Sequence, residues 1–438
     1  MQRREKQPRL IQAMIDMLTL PDLRRKILFT LGILVAFRFL AHVPLPGVDP
    51  EALRQFFGQN PLFGMLDLFS GGAMQRFSVV ATGIYPYITA SIIMQLLVPV
   101  IPSLQSLSRQ GEAGQRKVNR ITHLLTVPLA ALQGYGMLAI LQSQGVIGYL
   151  VPLTTACIVI SMAAGTVFLV WLGELITERG VGNGISIIIF AGIVASLPDM
   201  VGRGFIAARD PLGLAVFIIL GLATLVFIVV FIEAHRRIPV QYARSTFRSG
   251  RMYRQSGSTY IPLRVNTAGM IPLIFAIALM QLPATIATWF MDHTGQNPNF
   301  WNTIYYAFNS QNPAPVGLAY WVPYFLLVIG FTFFYTMIIF EQMNLPQTLQ
   351  QQGGFIPGVR PGKTTADYLN KAIRRLTFGG AFFLALVAIM PFIAREITGI
   401  VALTISSTAL LIAVGVALDT MKQLEAQLTM RRYEGFLK

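Results

Sequence analysis

Long apolar blocks, separated by short polar or basic segments, run the length of the chain and predict helices. About 20 apolar residues are needed to cross roughly 30 Å of hydrocarbon as a helix. Blocks of that size lie near 25–41, 77–99, 121–142, 151–172, 184–201, 213–232, 267–290, 318–340, 373–392 and 400–420. A membrane barrel would instead alternate with period two over strands of about ten residues. The pattern predicts an all-α polytopic membrane protein with ten transmembrane helices. The first block is short and carries Arg38, and the fifth ends loosely at Pro198. Between the first two blocks, residues 42–76 form a long segment whose apolar part, Leu62–Phe69, is too short to span. It is bounded by Pro61 and by Gly71-Gly72. Two readings stay open for it. One is a re-entrant helix, which is tolerated only where protein or a water-filled cavity surrounds it. The other is a surface helix on the outer leaflet.

Ten spans divide five plus five. An odd number per half puts the halves in opposite orientations, as an inverted repeat requires. No strong internal sequence repeat accompanies that division, and the boundary falls near Arg209-Asp210-Pro211. The expected organisation is a cytoplasmic segment 1–24, an N-terminal half 25–208, a C-terminal half 209–420 with loops 233–266 and 341–372, and a cytoplasmic tail 421–438.

Charge sets the orientation. Arg3, Arg4, Lys6, Arg9, Arg24, Arg25 and Lys26 precede the first block, and Arg109, Arg116, Lys117 and Arg120 follow the second. Arg236, Arg237, Arg244, Arg248, Arg251, Arg254 and Arg264 follow the sixth with no acidic residue among them. Arg360, Lys363, Lys371, Arg374 and Arg375 follow the eighth, and Arg431, Arg432 and Lys438 close the chain. All lie on one side of a ten-span arrangement. Positive charge collects on the cytoplasmic side, so both termini are expected there. The basic start is weakly amphipathic and lacks the apolar core and cleavage site of a signal peptide. Residues 10–20 suit a membrane surface. Composition agrees: 54% of the 438 residues are hydrophobic and 12% charged, where soluble domains carry about 25% charge. The formal charge of +15 favours acidic partners and anionic phospholipids. The single cysteine, Cys157, excludes an intramolecular disulfide and a multi-cysteine metal site.

Motifs for catalysis do not hold up. "GVRPGKT" at 358–364 ends like a phosphate-binding loop, but Pro357 stands where the first glycine belongs, and the stretch joins two spans rather than a strand and a helix. "GNG" at 182–184 reads as a helix entry. His42, His123, His235 and His293 lack metal-ligand spacing, and Glu174 with Glu178 beside Arg179 reads as a solvated helix end. No acid–base pair, nucleophile, metal set or cofactor is expected. Intramembrane charge is scarce, which weighs against ion-coupled transport. Arg38 is the main exception, and snorkelling to an interface explains it equally well.

Ile84 and Ile88 are four apart and share a helix face, as do Ile185 and Ile189. Facing one another, they would form an apolar waist that blocks water and ions by dewetting. Ordinary helix packing accounts for them too. Thr82, Thr89, Gln95, Asn266, Thr267 and Gln281 either glue helices or line a seam. Such bonds are worth only about 0.6–2 kcal/mol each. Pro86, Pro272 and Pro283 weaken helix continuity. The basic 235–266 segment interleaves Tyr242, Phe247, Tyr253 and Tyr260, a combination suited to docking RNA, an acidic protein surface or anionic lipid.

The stretches "GIYPYITASIIMQLL", "ERGVGNGISIIIFAGI", "RVNTAGMIPLIF" and "GGFIPGVRPGKTTADYL" together resemble the SecY/Sec61α family, in its bacterial form, over nearly the whole chain. The resemblance implies two inverted five-helix halves around an hourglass pore with a plug helix. It implies a pore ring of Ile84, Ile88, Ile185, Ile189, Ile274 and Ile412. It implies a plug that includes Leu62, Phe63, Leu66, Leu68, Phe69, Gly71 and Gly72. The lateral gate would involve spans two and seven, with Thr82, Thr89, Gln95, Asn266 and Thr267. Arg244, Arg248, Arg251, Arg254, Arg360 and Lys363 would lie in loops that dock partners. Those partners would be the small subunits SecE and SecG, the motor ATPase SecA, the ribosome, and signal sequences with their nascent polypeptides, at the bacterial plasma membrane. Two other classes remain distinguishable. A small-solute transporter would show saturable uptake of a bound substrate. An insertion factor would dock partners without passing soluble segments.

Overall fold

The computed structural model describes residues 20–59, 67, 70–108, 110–143, 145–148, 150–207, 211–248, 251–290, 299–308, 315–343, 345–398 and 402–436. In chain order the elements are α1 (Pro21–Leu40), α2 (Pro50–Gln59), α3 (Tyr85–Val100), α4 (Pro102–Ser108), α5 (Glu112–Ser143), α6 (Pro152–Arg179), α7 (Gly184–Ala207) and α8 (Pro211–Glu233). There follow β1 (His235–Arg248), β2 (Arg251–Arg264), α9 (Ile271–Phe290), α10 (Phe300–Ala307), α11 (Leu318–Met343) and α12 (Leu345–Gln351). The chain ends through β3 (Gly354–Phe355), α13 (Lys363–Thr398) and α14 (Ala402–Phe436). Each of the ten apolar blocks contains one helix. Among the described residues, four helices are long and apolar enough to cross a membrane, or five if the bent pair α3–α4 counts as one span.

Helix starts follow local chemistry. Pro21 opens α1, with Asp22 in its first turn, and Pro152 opens α6. A proline there loses no helical hydrogen bond, and an early acid complements the helix dipole. The second block departs from expectation. A helix was expected from residue 77, but residues 77–84 form turns and α3 begins at Tyr85. Phe77 has φ of 45° and Gly83 of 57°, left-handed conformations that stop a helix from propagating. At its far end α3 meets α4 at an angle of 101°.

The all-α expectation is corrected by the loop after α8. β1 and β2 form a 14-residue antiparallel hairpin, in register from His235↔Arg264 to Arg248↔Arg251. β3 adds a short third strand through Gln241↔Phe355 and Tyr242↔Gly354. The alternation that builds it is visible where side chains are described. Ile238 and Val240 are buried, and Arg237 and Pro239 are exposed. That is the period of a half-buried strand. Ile238, Val240 and Leu263 pack with Leu349, Ile356, Leu369, Ala372 and Ile373. The arginines hid this pattern by reading as a charge run.

Contacts divide the chain into two compact units. The first comprises Met1–Arg203, Ala284–Gln311 and Ile412–Lys438, and the second Gly204–Pro283 and Asn312–Leu411. In the first, α3, α5 and α6 pack together and α1 lies on α6. One of its clusters joins Leu53, Phe56 and Phe57 of α2 to Met74, Phe77, Leu138, Leu141 and Met162. In the second, α13 packs on α11 and α8, with the Phe231 and Phe383 rings stacked at 3.5 Å.

Glycine sets the closest approach in the first unit. A Cβ on Gly165 of α6 would stand 2.2 Å from the Val79 carbonyl oxygen, whereas a Cβ on Gly221 of α8 would meet nothing within 4 Å. Overpacking of this kind costs about 1–3 kcal/mol. Gly165→Ala is therefore expected to lower the thermal unfolding midpoint of the detergent-purified protein, while Gly221→Ala leaves it unchanged or raises it. Equal midpoints for the two variants would contradict this packing.

Candidate functional site

The two segments that precede α3 and α9 share a Gly-x-x-Pro spacing. Gly83 precedes Ile84-Tyr85-Pro86 and Gly269 precedes Met270-Ile271-Pro272. Both glycines are left-handed, at φ 57° and 66°, and the prolines fall in the first helical turn. Ile88 and Ile274 each lie five residues after their glycine. Gly/Pro-interrupted segments at matching positions of two halves are a pointer to a transport path. In the first unit Ile84, Ile88, Ile189 and Ile412 are buried, and Ile185 is half-buried against Gly173 of α6. Ile274, in the second unit, is half-buried.

The segment before α3 ends in a closed turn. Asp67 and Ser70 are helical, and Gly71 (φ 68°) and Gly72 (φ 83°) terminate the helix. The Gly72 N–H donates to the Asp67 carbonyl at 3.1 Å, the six-to-one bond of a glycine-capped helix end. The Asp67 side chain ties the turn together. Its Oδ1 accepts from Ser70 Oγ at 2.9 Å, Met74 N at 2.9 Å and Gln75 N at 3.1 Å. Of the expected plug residues, Leu62, Phe63, Leu66, Leu68 and Phe69 lie outside the described residues. Gly71 and Gly72 form the turn itself.

The expected gate residues have distinct surroundings. Thr82 Oγ1 is 2.7 Å from Thr166 Oγ1 on α6, and Thr166 donates to the Gly83 carbonyl at 3.1 Å. Thr89 donates back to the Tyr85 carbonyl at 3.1 Å, and Gln95 Nε2 to Ser91 Oγ at 3.3 Å. In the second unit Thr267 donates to the Arg264 carbonyl at 3.0 Å. Asn266 Oδ1 is buried without a hydrogen-bond partner among the described residues. Thr82 thus bonds within its own unit, whereas buried, unmatched Asn266 has an acceptor to offer another group.

The basic docking residues divide between strands and a turn. Arg244 and Arg248 lie in β1 and Arg251 and Arg254 in β2, with Arg248 opposite Arg251 and Arg254 opposite Ser245. Nearer the root of the hairpin, the Arg237 guanidinium stands 4.8 Å over the Tyr260 ring. Arg360 and Lys363 are exposed at the entry to α13. The Arg360 carbonyl accepts from the Thr364 and Thr365 hydroxyls, the latter at 2.9 Å. The near-match to a phosphate loop is this helix entry.

Three side chains emerge that the sequence reading did not assign. Asp67 is one. Arg38 is another: its Nη1 donates to the Gly71 carbonyl at 2.5 Å, a protein partner in place of simple snorkelling. The third is His123, whose Nε2 lies 3.0 Å from Glu174 Oε1, with the Tyr87 ring edge-on at 5.6 Å. That contact joins α3, α5 and α6 and gives Glu174, which stays exposed, a protein partner. Among the described residues no cluster of three or more His, Cys, Asp or Glu forms a metal site.

The SecY family model matches residues 78–421. Protein translocase subunit SecY of Streptomyces galbus is 43% identical over 437 residues, 95% of this chain and 98% of the relative. The subunit of the same name from Bacillus subtilis is 44% identical, over 95% and 97%. Three solved structures share the fold at 18% identity, each over 92% of both chains. They are a protein-conducting channel (TM-score 0.66), a SecY channel described for its plug domain, which stabilises the closed state and maintains a membrane seal (0.65), and Sec61 in a canine ribosome–channel complex from the endoplasmic reticulum (0.65).

Burial pushes the Asp67 carboxyl above its ordinary value of 3.8, against the lowering effects of the Gln75 N–H, the Ser70 hydroxyl, the Met74 N–H and nearby Arg76. A raised folded pKa means the native state keeps this proton after the unfolded chain has lost it. The stabilisation is complete below the unfolded value and is lost as pH rises through the folded one. Asn at this position keeps the acceptor oxygen without the charge. Asp67→Asn is therefore expected to gain stability relative to the parent as pH rises above about 4, and to match it most closely in acid. Asp67→Ala, which abandons the donors, is expected to lose roughly 1–3 kcal/mol. Thermal midpoints across a pH series test both. A parent that gains on Asp67→Asn with rising pH would contradict the assignment.

Proposed function

Because the chain belongs to the SecY family, we propose that it works as the polypeptide-conducting channel subunit of a bacterial protein translocase, passing unfolded secretory chains across the plasma membrane. The family is one of channel subunits rather than enzymes. The observation that carries the finer reading is the paired interruption of α3 and α9, with Ile88 and Ile274 at the same offset from left-handed glycines.

In this reading ten helices cross the membrane as two inverted halves around an hourglass path, with both termini in the cytoplasm. Ile84, Ile88, Ile185, Ile189, Ile274 and Ile412 form its waist. An apolar waist hinders ions by dewetting and yields around varied side chains without binding any one tightly. The 62–72 segment is the plug. Thr82, Thr89, Gln95, Asn266 and Thr267 belong to a side gate, through which an apolar segment moves into lipid because leaving water is favourable. Hydrogen bonds of the strength available in such a seam are weak enough to open.

The drive comes from outside the channel, from SecA or from a translating ribosome. The ribosome-bound Sec61 relative supports the second source. The hairpin with Arg244, Arg248, Arg251 and Arg254, and the turn with Arg360 and Lys363, are the docking surfaces. SecE and SecG complete the assembly, and the +15 charge suits anionic phospholipids at the cytoplasmic face.

Exposed Cys157 is first replaced by serine, and single cysteines are placed at Ile88, Ile189 and, as a control, at Ile160, which is 66% exposed on α6. With a precursor arrested in transit, the waist positions are expected to crosslink to it and position 160 is not. Absence of crosslinks from both Ile88 and Ile189 during verified transport would overturn the pore assignment.

A further inference from the structure

The short helix α10 turns large aromatic rings outward and an amide inward, the reverse of a helix lying in water. Phe300, Thr303 and Tyr306 stand at i, i+3 and i+6, one stripe along the helix. All three are exposed, Phe300 at 73% and Tyr306 at 59%. Asn302 is buried instead, and its Oδ1 accepts from the Asn299 N–H at 3.2 Å, closing the first turn. A single exposed apolar residue is ordinary on a water-facing surface. Two exposed aromatics on an eight-residue helix that buries its asparagine suit a medium that is itself partly apolar.

The level of α10 follows from what it touches. The Trp301 ring lies 5.1 Å from that of Phe290, the last residue of α9. Phe300 meets Trp301 edge-on at 6.0 Å. Ile286 and Phe290, one turn apart at the end of α9, are 40% and 56% exposed. Apolar surface therefore continues from the end of α9 through Trp301 to Phe300. With α9 as a span, its end is an edge of the hydrocarbon, and α10 sits at that edge. Charge agrees: no Asp, Glu, Lys, Arg or His occurs from Thr294 to Phe340, where a water-facing segment would carry about one charged residue in four.

We propose that α10 is an interfacial anchor, its Phe300–Tyr306 stripe lying in the headgroup–acyl boundary of the bilayer at the non-cytoplasmic face. This rests on the reading of α9 as a span given above. The occupant of the stripe is lipid. Aromatic side chains collect at that boundary, and the Tyr306 ring enters the apolar layer while its hydroxyl reaches polar groups. A stripe without charge binds through apolar area alone, so the headgroup's charge has no part in holding it. Through its contact with Phe290, Trp301 fixes the level of the end of α9 against the membrane surface.

The test places the chain with its small partner subunits in phosphatidylcholine nanodiscs, with Cys157 replaced by serine. A nitroxide is attached in turn to Phe300→Cys, Tyr306→Cys, Ile286→Cys at the end of α9, Ile160→Cys on the exposed face of α6, and Glu51→Cys on α2 as the aqueous reference. Depth is read from relaxation by oxygen, which partitions into lipid, against relaxation by a water-soluble nickel chelate. Positions 300 and 306 are expected about 5–10 Å into the boundary, shallower than position 160, with nickel access several-fold below that at position 51. The same depth is expected when part of the lipid is replaced by phosphatidylglycerol. If Tyr306→Cys is not recovered folded, Thr303→Cys on the same stripe takes its place. Nickel access at 300 and 306 equal to that at 51, with 286 in lipid, would overturn the inference alone. Low access to both reagents would mean that a protein surface covers the stripe, and would also overturn it. So would a depth that appears only with the anionic lipid. Nickel access at 286 equal to that at 51 would overturn the span reading of α9 and this inference with it.

Discussion

Backbone N–H and C=O groups inside a bilayer have no water to turn to, and that constraint governs where this chain can leave the helix. The break before α3 is tolerated because protein supplies the missing partners. Leu45 N donates to the Phe77 carbonyl at 2.9 Å and Val79 N to the Val43 carbonyl at 3.1 Å, and Thr166 reaches across from α6 to the Gly83 carbonyl. At the matching break before α9, Val265 N donates to the Ala234 carbonyl at 3.0 Å. Helix interruptions with their own supporting bonds let the chain turn without leaving those backbone groups unpaired. They place isoleucines on short helices whose starts are built rather than frayed.

Much of the helical layout was legible in the chain, because hydrophobic length and proline-led starts act locally. The blocks near 151–172 and 318–340 fall on α6, to within one residue at its start, and on α11. The start of α3 was less legible: its apolar block runs through residues 77–84, and only the left-handed conformations of Phe77 and Gly83 stop the helix there. The hairpin was hidden for a different reason. Its period-two face, Ile238 and Val240, is short, and its burial depends on Leu349, Leu369 and Ile373, more than 100 residues later. Pairings across large sequence separation leave no local mark. Arg38 with Gly71 and His123 with Glu174 belong to the same class: each residue has an adequate solitary explanation, and only the fold supplies the partner.

These features combine into one physical account. In the proposed channel an apolar waist resists ions yet makes no demand on the side chains passing through. Thr82 with Thr166 ties the turn before α3 to α6, and Asp67 braces the glycine-capped turn that follows it. None of these elements supplies work. The proposed channel takes its direction from a motor or from translation, with the basic surfaces after α8 and before α13 as the proposed docking sites.

The most direct measurement places the purified chain, with its small subunits, in sealed vesicles together with motor ATPase, ATP and an unfolded secretory precursor, and follows protease-protected precursor. The account predicts protection that requires this chain, ATP and an intact signal sequence. If partner binding and sealed vesicles were verified and no precursor became protected, the channel account would be contradicted, and an insertion factor without a through-path would take its place.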